Sequence, residues 1–222
     1  MRPCGCDRGH ERKRIVLTGG PGAGKTAVLD LVRLLACKHV VVLPEAASML
    51  FNGGFPRGGT QGQRAATQRA IFHVQRELEA SADAGDHAAI VLCDRGTVDG
   101  AAYWPGPGTL WEAVGTTHEA EMARYDVVIH LRTPSIASYN NDNPARIEDA
   151  EEAARIDARI LHAWRNHPHV HRVEAQTDFL RKAQEALELI LADLPECCRD
   201  YAERSNSSRT ADSSSTRTGL AK

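Results

Sequence analysis

Five short runs of apolar residues punctuate the chain: RIVLT at 14–18, HVVVL at 39–43, AAIVLCD at 88–94, YDVVIHL at 125–131 and VHRV at 170–173. Within them apolar positions are nearly continuous instead of alternating, the pattern of a strand covered on both faces. Between them lie segments at 26–36, 63–84, 149–166 and 178–193 whose apolar residues recur every three to four positions. The last sets Leu180, Leu187, Ile190, Leu191 and Leu194 on one stripe, and Pro195 stops it. Strand and helix in alternation predict an α/β fold of three layers, a five-stranded parallel sheet with helices on both faces. No internal repeat interrupts this order.

The two ends lack the pattern. The first twelve residues, and the tail YAERSNSSRTADSSSTRTGLAK from Tyr201, offer little to bury. The expected organisation is a flexible leader at 1–12, one domain at 13–195 and a disordered Ser/Thr-rich tail at 196–222. At 222 residues and 42% hydrophobic content, one sizeable core accounts for the whole middle of the chain.

The formal net charge of -2 supplies no basic field for a polyanion, so no nucleic-acid partner is expected. The N-terminus has no apolar signal region and no run reaches about 18 apolar residues, which predicts a cytoplasmic protein without a membrane partner. Six cysteines do not make a disulfide scaffold in a chain this long. Cys37 and Cys93 fall in apolar runs and are expected as buried, reduced thiols. Cys4, Cys6, His10, Cys197 and Cys198 carry the right atoms for a metal cluster, but they lack the Cys-x2-Cys spacing of ordinary zinc sites, and the sequence does not favour one.

One motif decides the chemistry. Gly19, Gly20, Pro21, Gly22, Ala23, Gly24, Lys25 and Thr26 satisfy G-x-x-x-x-G-K-[ST], and they sit between an apolar strand and an apolar helix. In such a loop the backbone curls so that successive N–H groups converge, and the helix N-terminus adds partial positive charge. Lys25 then reaches the β- and γ-phosphates of a nucleoside triphosphate, ATP or GTP, and the Thr26 hydroxyl is placed to ligate Mg2+. A phosphate loop needs a second acid for the metal, and IVLCD delivers Asp94 at the end of a strand. A strand-ending Asp also caps turns, so the spacing alone leaves both roles open. Arg95, next to it, is placed to neutralise developing charge or to orient an acceptor.

The order of these features resembles the small-molecule kinases of the P-loop class over roughly 14–194. After the phosphate loop come a strand ending VLPEAA, a helix containing FHVQRE, a strand ending CDRG, and VVIHLRTP followed by a polar segment and a helix. The chain looks most similar to deoxynucleoside kinases and to the nicotinamide-riboside-kinase-like ATPase family labelled as an AAA-type domain. That resemblance implies Glu45 as the general base toward an acceptor hydroxyl and Gln75 as a residue that reads a base or a carboxamide. On residue types alone, Glu45 equally suits a helix N-terminus and Gln75 a solvated face shared with Gln68, Phe72 and Glu79. Ala70, Val74 and Leu78 form the apolar stripe of that helix.

Two Gly/Pro- or polar-rich segments are candidates to close over a ligand: 51–62, carrying Arg57, and 133–148, in the place of the kinase lid. Closure would bring Arg146 toward the phosphates. Kinase lids usually carry several arginines, whereas here Arg155 and Arg159 lie further on and read as surface partners of Glu151 and Glu152, with Arg132 at the strand end as a substitute. Tyr103, Trp104 and Trp111 follow Asp94 and read first as packing residues.

The function expected is a Mg2+-dependent kinase acting on a small nucleoside- or nucleotide-like phosphoryl acceptor. The alternative is a nucleotide-binding regulatory ATPase or GTP binder with little chemistry of its own; no Asn-Lys-x-Asp is present for guanine selection. A faint likeness of RGGTQGQR to the transporter ATPase signature ranks last, because the Leu-Ser-Gly-Gly-Gln order is missing and Arg95 stands where a catalytic Glu is needed.

Overall fold

The computed structural model describes residues 6, 9–85, 88–134, 149–175 and 178–199. Its centre is a five-stranded, wholly parallel sheet of β1 (Lys13–Thr18), β2 (Val40–Leu43), β3 (Ile90–Asp94), β4 (Val127–Leu131) and β5 (Val170–Val173), ordered β2-β3-β1-β4-β5. Every strand coincides with a run predicted from the apolar pattern, β1 starting one residue earlier at Lys13. The chain leaves central β1 for the edge at β2, returns through β3 beside β1, and then crosses to β4 on the other side. Such a reversal opens a crevice beyond the C-terminal ends of the central strands, where open α/β sheets bind ligands.

The central strands β3, β1 and β4 bury both faces, since successive side chains point to opposite sides, whereas edge strand β5 exposes His171 and Arg172 and β2 is half-buried at its middle. In β1, Ile15 and Leu17 join a core layer with Val28, Leu29 and Val32 of α1 (Lys25–Leu35) and Ala183, Ala186 and Ile190 of α7 (Phe179–Ala192). Val16 points the other way, to a second layer with Val91, Cys93, Val128, and Ile156 and Ile160 of α6 (Ala150–Ala163). Trp164, fully buried, closes that layer. Cys37 and Cys93 are buried as expected.

The expected apolar face holds in one helix and fails in another. In and just after α7, Ile190 and Leu194 are buried and Leu187 and Leu191 pack against the core as expected, joined by Ala183 and Ala186, and only Leu180 is exposed, at 74%. In α3 (Gln61–Asp83) Phe72, Gln75 and Glu79 are buried, whereas Ala70, Val74 and Leu78 are only partly so. Buried ion pairs and the cavity described below pull this polar face inward, a tertiary effect that periodicity does not register.

Short helices occupy stretches to which the apolar pattern assigned no element. Helix α2 (Ala46–Asn52) starts at Glu45, a 3-10 helix covers Thr97–Tyr103, and α4 (Leu110–Val114) and α5 (His118–Met122) follow. Thr60 with Gln63, and Thr109 with Glu112, form complete capping boxes at α3 and α4, so the T-x-x-Q and T-x-x-E spacings were the missed signal. Packing also extends beyond 13–195. Arg12 donates to the carbonyls of Ala88 and Gly85, and residues 196–199 are helical with Cys198 1% exposed. Among the described residues no helix is long and apolar enough to cross a membrane.

Candidate active site

The loop from Gly19 to Thr26 joins β1 to α1 at the mouth of the crevice. Gly19 has φ +134, and a Cβ there would lie 2.0 Å from the Leu131 carbonyl oxygen; at Gly20 it would lie 2.4 Å from Thr133 Oγ1. Only glycine permits the loop to lie this close to β4 and the chain after it. The Lys25 ammonium spans the loop, donating to the carbonyls of Gly19 (2.9 Å) and Gly20 (3.1 Å). The N-terminus of α1 has no side-chain cap, whereas Thr60, Thr109, Asp149 and Asp178 cap α3, α4, α6 and α7. Its first N–H groups are left to a ligand, as an anion-binding helix start requires.

Side chains missing from the sequence reading brace this loop. Asp157 of α6 accepts from the Gly20 N–H (3.0 Å) and from His130 Nε2 (2.9 Å), and pairs with Arg132 at 3.2 Å. Burial, the largest single influence, works against the Asp157 charge, but the hydrogen bonds from His130 and the Gly20 N–H and the nearby positive charge together outweigh it, and the carboxyl titrates below its ordinary value. Lys182 of α7 donates to the carbonyls of Ala23 (2.8 Å) and Arg132, and burial lowers its pKa to about 8. The signal for both was an ionisable residue inside an apolar stripe: Asp157 among Ala153, Ile156 and Ile160, and Lys182 beside Ala183 and Ala186. Arg132, expected as a substitute lid arginine, is thereby engaged with Asp157.

A second group of charges lies on the strand ends beside the loop. Asp94 ends β3 opposite Leu17 of β1, is 9% exposed, and its Oδ1 has no hydrogen-bond partner among the described residues. Burial, only partly countered by Lys25, raises its pKa to about 6. Burial likewise lowers Lys25 to about 8, with the neighbouring Arg95 charge adding to the effect. Arg95 adopts φ 70, the left-handed region that costs a residue with a Cβ about 1–2 kcal/mol. This places Nε 2.7 Å from Glu45 Oε1 and Nη1 3.2 Å from the Gly19 carbonyl and 3.5 Å from Asp99 Oδ2. Asp99 in turn accepts from Thr18 Oγ1 (2.6 Å) and Trp164 Nε1 (2.5 Å), which fixes the arginine's counter-charge in place. Burial would raise Glu45, but Arg95, a 2.5 Å hydrogen bond from Ser48 and the Lys25 charge hold it at about 2.

Loop and charges line one cavity of about 670 Å³, shared with Phe51, Arg57, Gln68, Phe72, Gln75 and Tyr103. Of the residues singled out in the sequence, 21–26, Glu45, Arg57, Gln75, Asp94 and Arg95 meet here, Gly19 and Gly20 lie behind the lining, and Arg146 lies outside the described residues. Gln75 is buried and gives one N–H to Glu79 (2.8 Å), leaving its carbonyl and second N–H. The Arg57 guanidinium lies over the Phe51 ring at 4.9 Å. Arg155 and Arg159 both pair with Glu152 on the surface, so neither belongs to the site. Tyr103 lines the cavity, which the expectation of plain packing did not include.

The donor set suits a magnesium ion: an unpartnered carboxylate oxygen on Asp94 and the exposed Thr26 hydroxyl border the same cavity as the loop amides.

Comparison with known proteins agrees with this geometry. The family model described as AAA domain matches residues 14–182. No curated protein matches the sequence. Among solved structures, thymidylate kinase from Candida albicans superposes with a TM-score of 0.54 at 12% identity, covering 82% of this chain and 92% of that one. The NadR protein in complex with NR superposes with a TM-score of 0.63 at 14% identity, covering 81% of this chain but only 50% of that one. At such identities the likeness establishes the fold, that of a P-loop kinase.

Proposed function

Since the chain belongs to the AAA domain family, we propose that it is a Mg2+-dependent kinase that transfers the γ-phosphoryl group of ATP or GTP to a hydroxyl of a small nucleoside- or nucleotide-like acceptor. The observation that carries this reading is Glu45: an ionised carboxylate, gripped by Arg95, on the same cavity as Lys25 and Asp94. A loop that only stored nucleotide would have no use for a carboxylate beyond the phosphates.

Lys25 and the amides of 21–26 hold the β- and γ-phosphates, and Thr26 and Asp94 hold the magnesium, which supplies charge neutralisation when bound. Asp94 at about 6 is largely ionised at neutral pH, as a metal ligand must be. The acceptor oxygen bonds to the γ-phosphorus as the bond to the diphosphate breaks. A carboxyl held at about 2 is a weak proton acceptor, so Glu45 acts chiefly by orienting the hydroxyl, whose proton departs through it late in the step. Arg95 fixes Glu45 and adds positive charge beside the loop. Gln75 and Arg57 contact the acceptor, whose ring fits beside Phe72 and Tyr103. A likeness to thymidylate kinase and to a protein bound to NR supports an acceptor of this size.

The test is a panel of nucleosides, nucleotides and vitamins supplied with magnesium-ATP or magnesium-GTP, read as acceptor-dependent nucleoside diphosphate. One class should stimulate turnover, and Lys25→Ala should remove at least about 10²–10³-fold of it with the circular dichroism spectrum unchanged. Tight nucleotide binding with no stimulation by any acceptor would replace the kinase with a nucleotide-binding regulator.

A further inference from the structure

A second cluster lies at the opposite end of the sheet. The parallel strands put their C-terminal ends on the nucleotide cavity, so His39, immediately before β2, stands at the far edge from Glu45, which follows it. Cys37 and His39 come from the α1–β2 connection, Cys197 and Cys198 from the helical turn after α7, and Cys6 and His10 from the leader. Three chain segments, remote in sequence, thus bring four thiols and two imidazoles together. Cys37, His39 and Cys198 are each 1% exposed, and none of the described cysteines is in a disulfide.

We propose that Cys37, His39 and Cys198 bind a structural zinc ion that fastens the C-terminal turn to the N-terminal edge of the sheet, with Cys197 turning in as the fourth ligand and His10 and Cys6 packed around it. The ligand atoms of Cys37, His39 and Cys198 all lie within 4.8 Å of one another. Ligands on a tetrahedral zinc are separated by about 3.5–3.8 Å, as bond lengths of about 2.3 Å to sulfur and 2.0–2.1 Å to nitrogen require. Cys37 Sγ to His39 Nδ1 is 3.6 Å and His39 Nδ1 to Cys198 Sγ 3.3 Å, whereas Cys197 Sγ, 3.8 Å from Cys198 Sγ, stands outside this group and must turn toward the ion to complete the tetrahedron. The Cys37 and Cys198 sulfurs, 2.6 Å apart, would separate by roughly 1 Å around the ion. His10 Nε2 is 3.4 Å from Cys197 Sγ and 3.6 Å from Cys6 Sγ, and its ring meets His39 edge-on at 4.8 Å, which orients the outer ligands.

The chemistry of the set, three thiols and an imidazole with no opening toward the cavity, is that of a closed structural site; the thiols release their protons on binding. It also gives a physical reason for the folding of residues the pattern assigned to a tail. The cysteines escape the Cys-x2-Cys rule because the fold, and not a local loop, supplies the spacing.

Protein purified without chelator should carry about one zinc per chain by mass spectrometry of the metals. Cys37→Ser/Cys198→Ser should fall below about a tenth of that, and Cys197→Ser should lose zinc to a competing chelator at least about tenfold more readily. Because the double substitution also disturbs the core, the unaltered protein supplies an independent readout. Exchange of its metal for cobalt(II) should give the thiolate charge-transfer absorption and strong d–d bands of a tetrahedral sulfur site. Folded, metal-free protein that gives no such spectrum, or a Cys37–Cys198 disulfide in the protein as isolated, would overturn the proposal.

Discussion

Two groups of buried carboxylates lie in the molecule, one on and beneath α3 and one at the strand ends beside the phosphate loop, and their bonding differs in kind. Under α3, Glu79 and Glu121 are 0% exposed and all four of their oxygens are used. Glu79 takes Gln75 and the Tyr125 hydroxyl on Oε1, and Arg124, with Arg14 at 3.8 Å, on Oε2. Glu121 takes Arg76 and Thr116 on Oε1, and Thr97, with Arg124 Nε at 3.4 Å, on Oε2. At the cavity, among the described residues, Asp94 keeps an oxygen without a partner, Lys25 bonds to the carbonyls of its own loop, and both are pushed toward neutrality by burial. Under α3 every carboxylate oxygen is used and the unbonded groups are the Arg14 and Arg124 Nε–H, which still face a carboxylate; at the cavity the open group is the acid itself, and a bound ion can recover what its burial costs.

The contrast can be broken most severely at Glu79. Glu79→Gln removes the shared counter-charge of Arg124 and Arg14 and should cost about 3–5 kcal/mol in denaturant unfolding, while nucleotide affinity of the folded fraction stays the same. A loss of nucleotide affinity with little loss of stability would reverse the roles of the two groups. Next in size is Glu45→Gln, expected to lower turnover about 10²-fold with nucleotide dissociation constants changed by less than about threefold. Equal losses in both would make Glu45 a prop for Arg95 and nothing more.

The smallest effect has the opposite sign. Asp94 has a folded pKa of about 6 against an ordinary 3.8, so the folded protein binds the proton more tightly and its stability falls as pH rises through this window. Asp94→Asn should therefore stabilise the ligand-free protein by on the order of 1–3 kcal/mol at neutral pH, while abolishing magnesium-dependent turnover. The difference in melting temperature between Asp94→Asn and the unaltered protein should be negligible near pH 4, grow up to pH 6 and level off above it. A difference independent of pH would mean that the Asp94 charge is not the source.

The stability of the unaltered protein should also respond differently at the two ends of the scale. The Glu45 pKa lies below its ordinary value, so its contribution is complete above about pH 4.5 and is lost as pH falls through about 2. Lys25 is lowered to about 8 from 10.5, so the cost of its buried charge disappears as pH rises through that interval.

The sequence by itself determined the layers, all five strands, and the phosphate loop with Lys25, Thr26 and Asp94, because these follow from local rules: continuous apolar runs, helical period, and a motif whose spacing is imposed by a single turn of backbone. It did not determine which face α3 buries, the bracing of Gly20 by Asp157 and of Ala23 by Lys182, or the meeting of Cys37 and His39 with Cys197 and Cys198. Those depend on residues more than a hundred positions apart sharing a burial site, as in the pairs Gly20–Asp157 and Cys37–Cys198. Burial then decides whether a charge is neutralised, paired or left for a ligand, and burial is a property of the packed sheet, which no local spacing encodes.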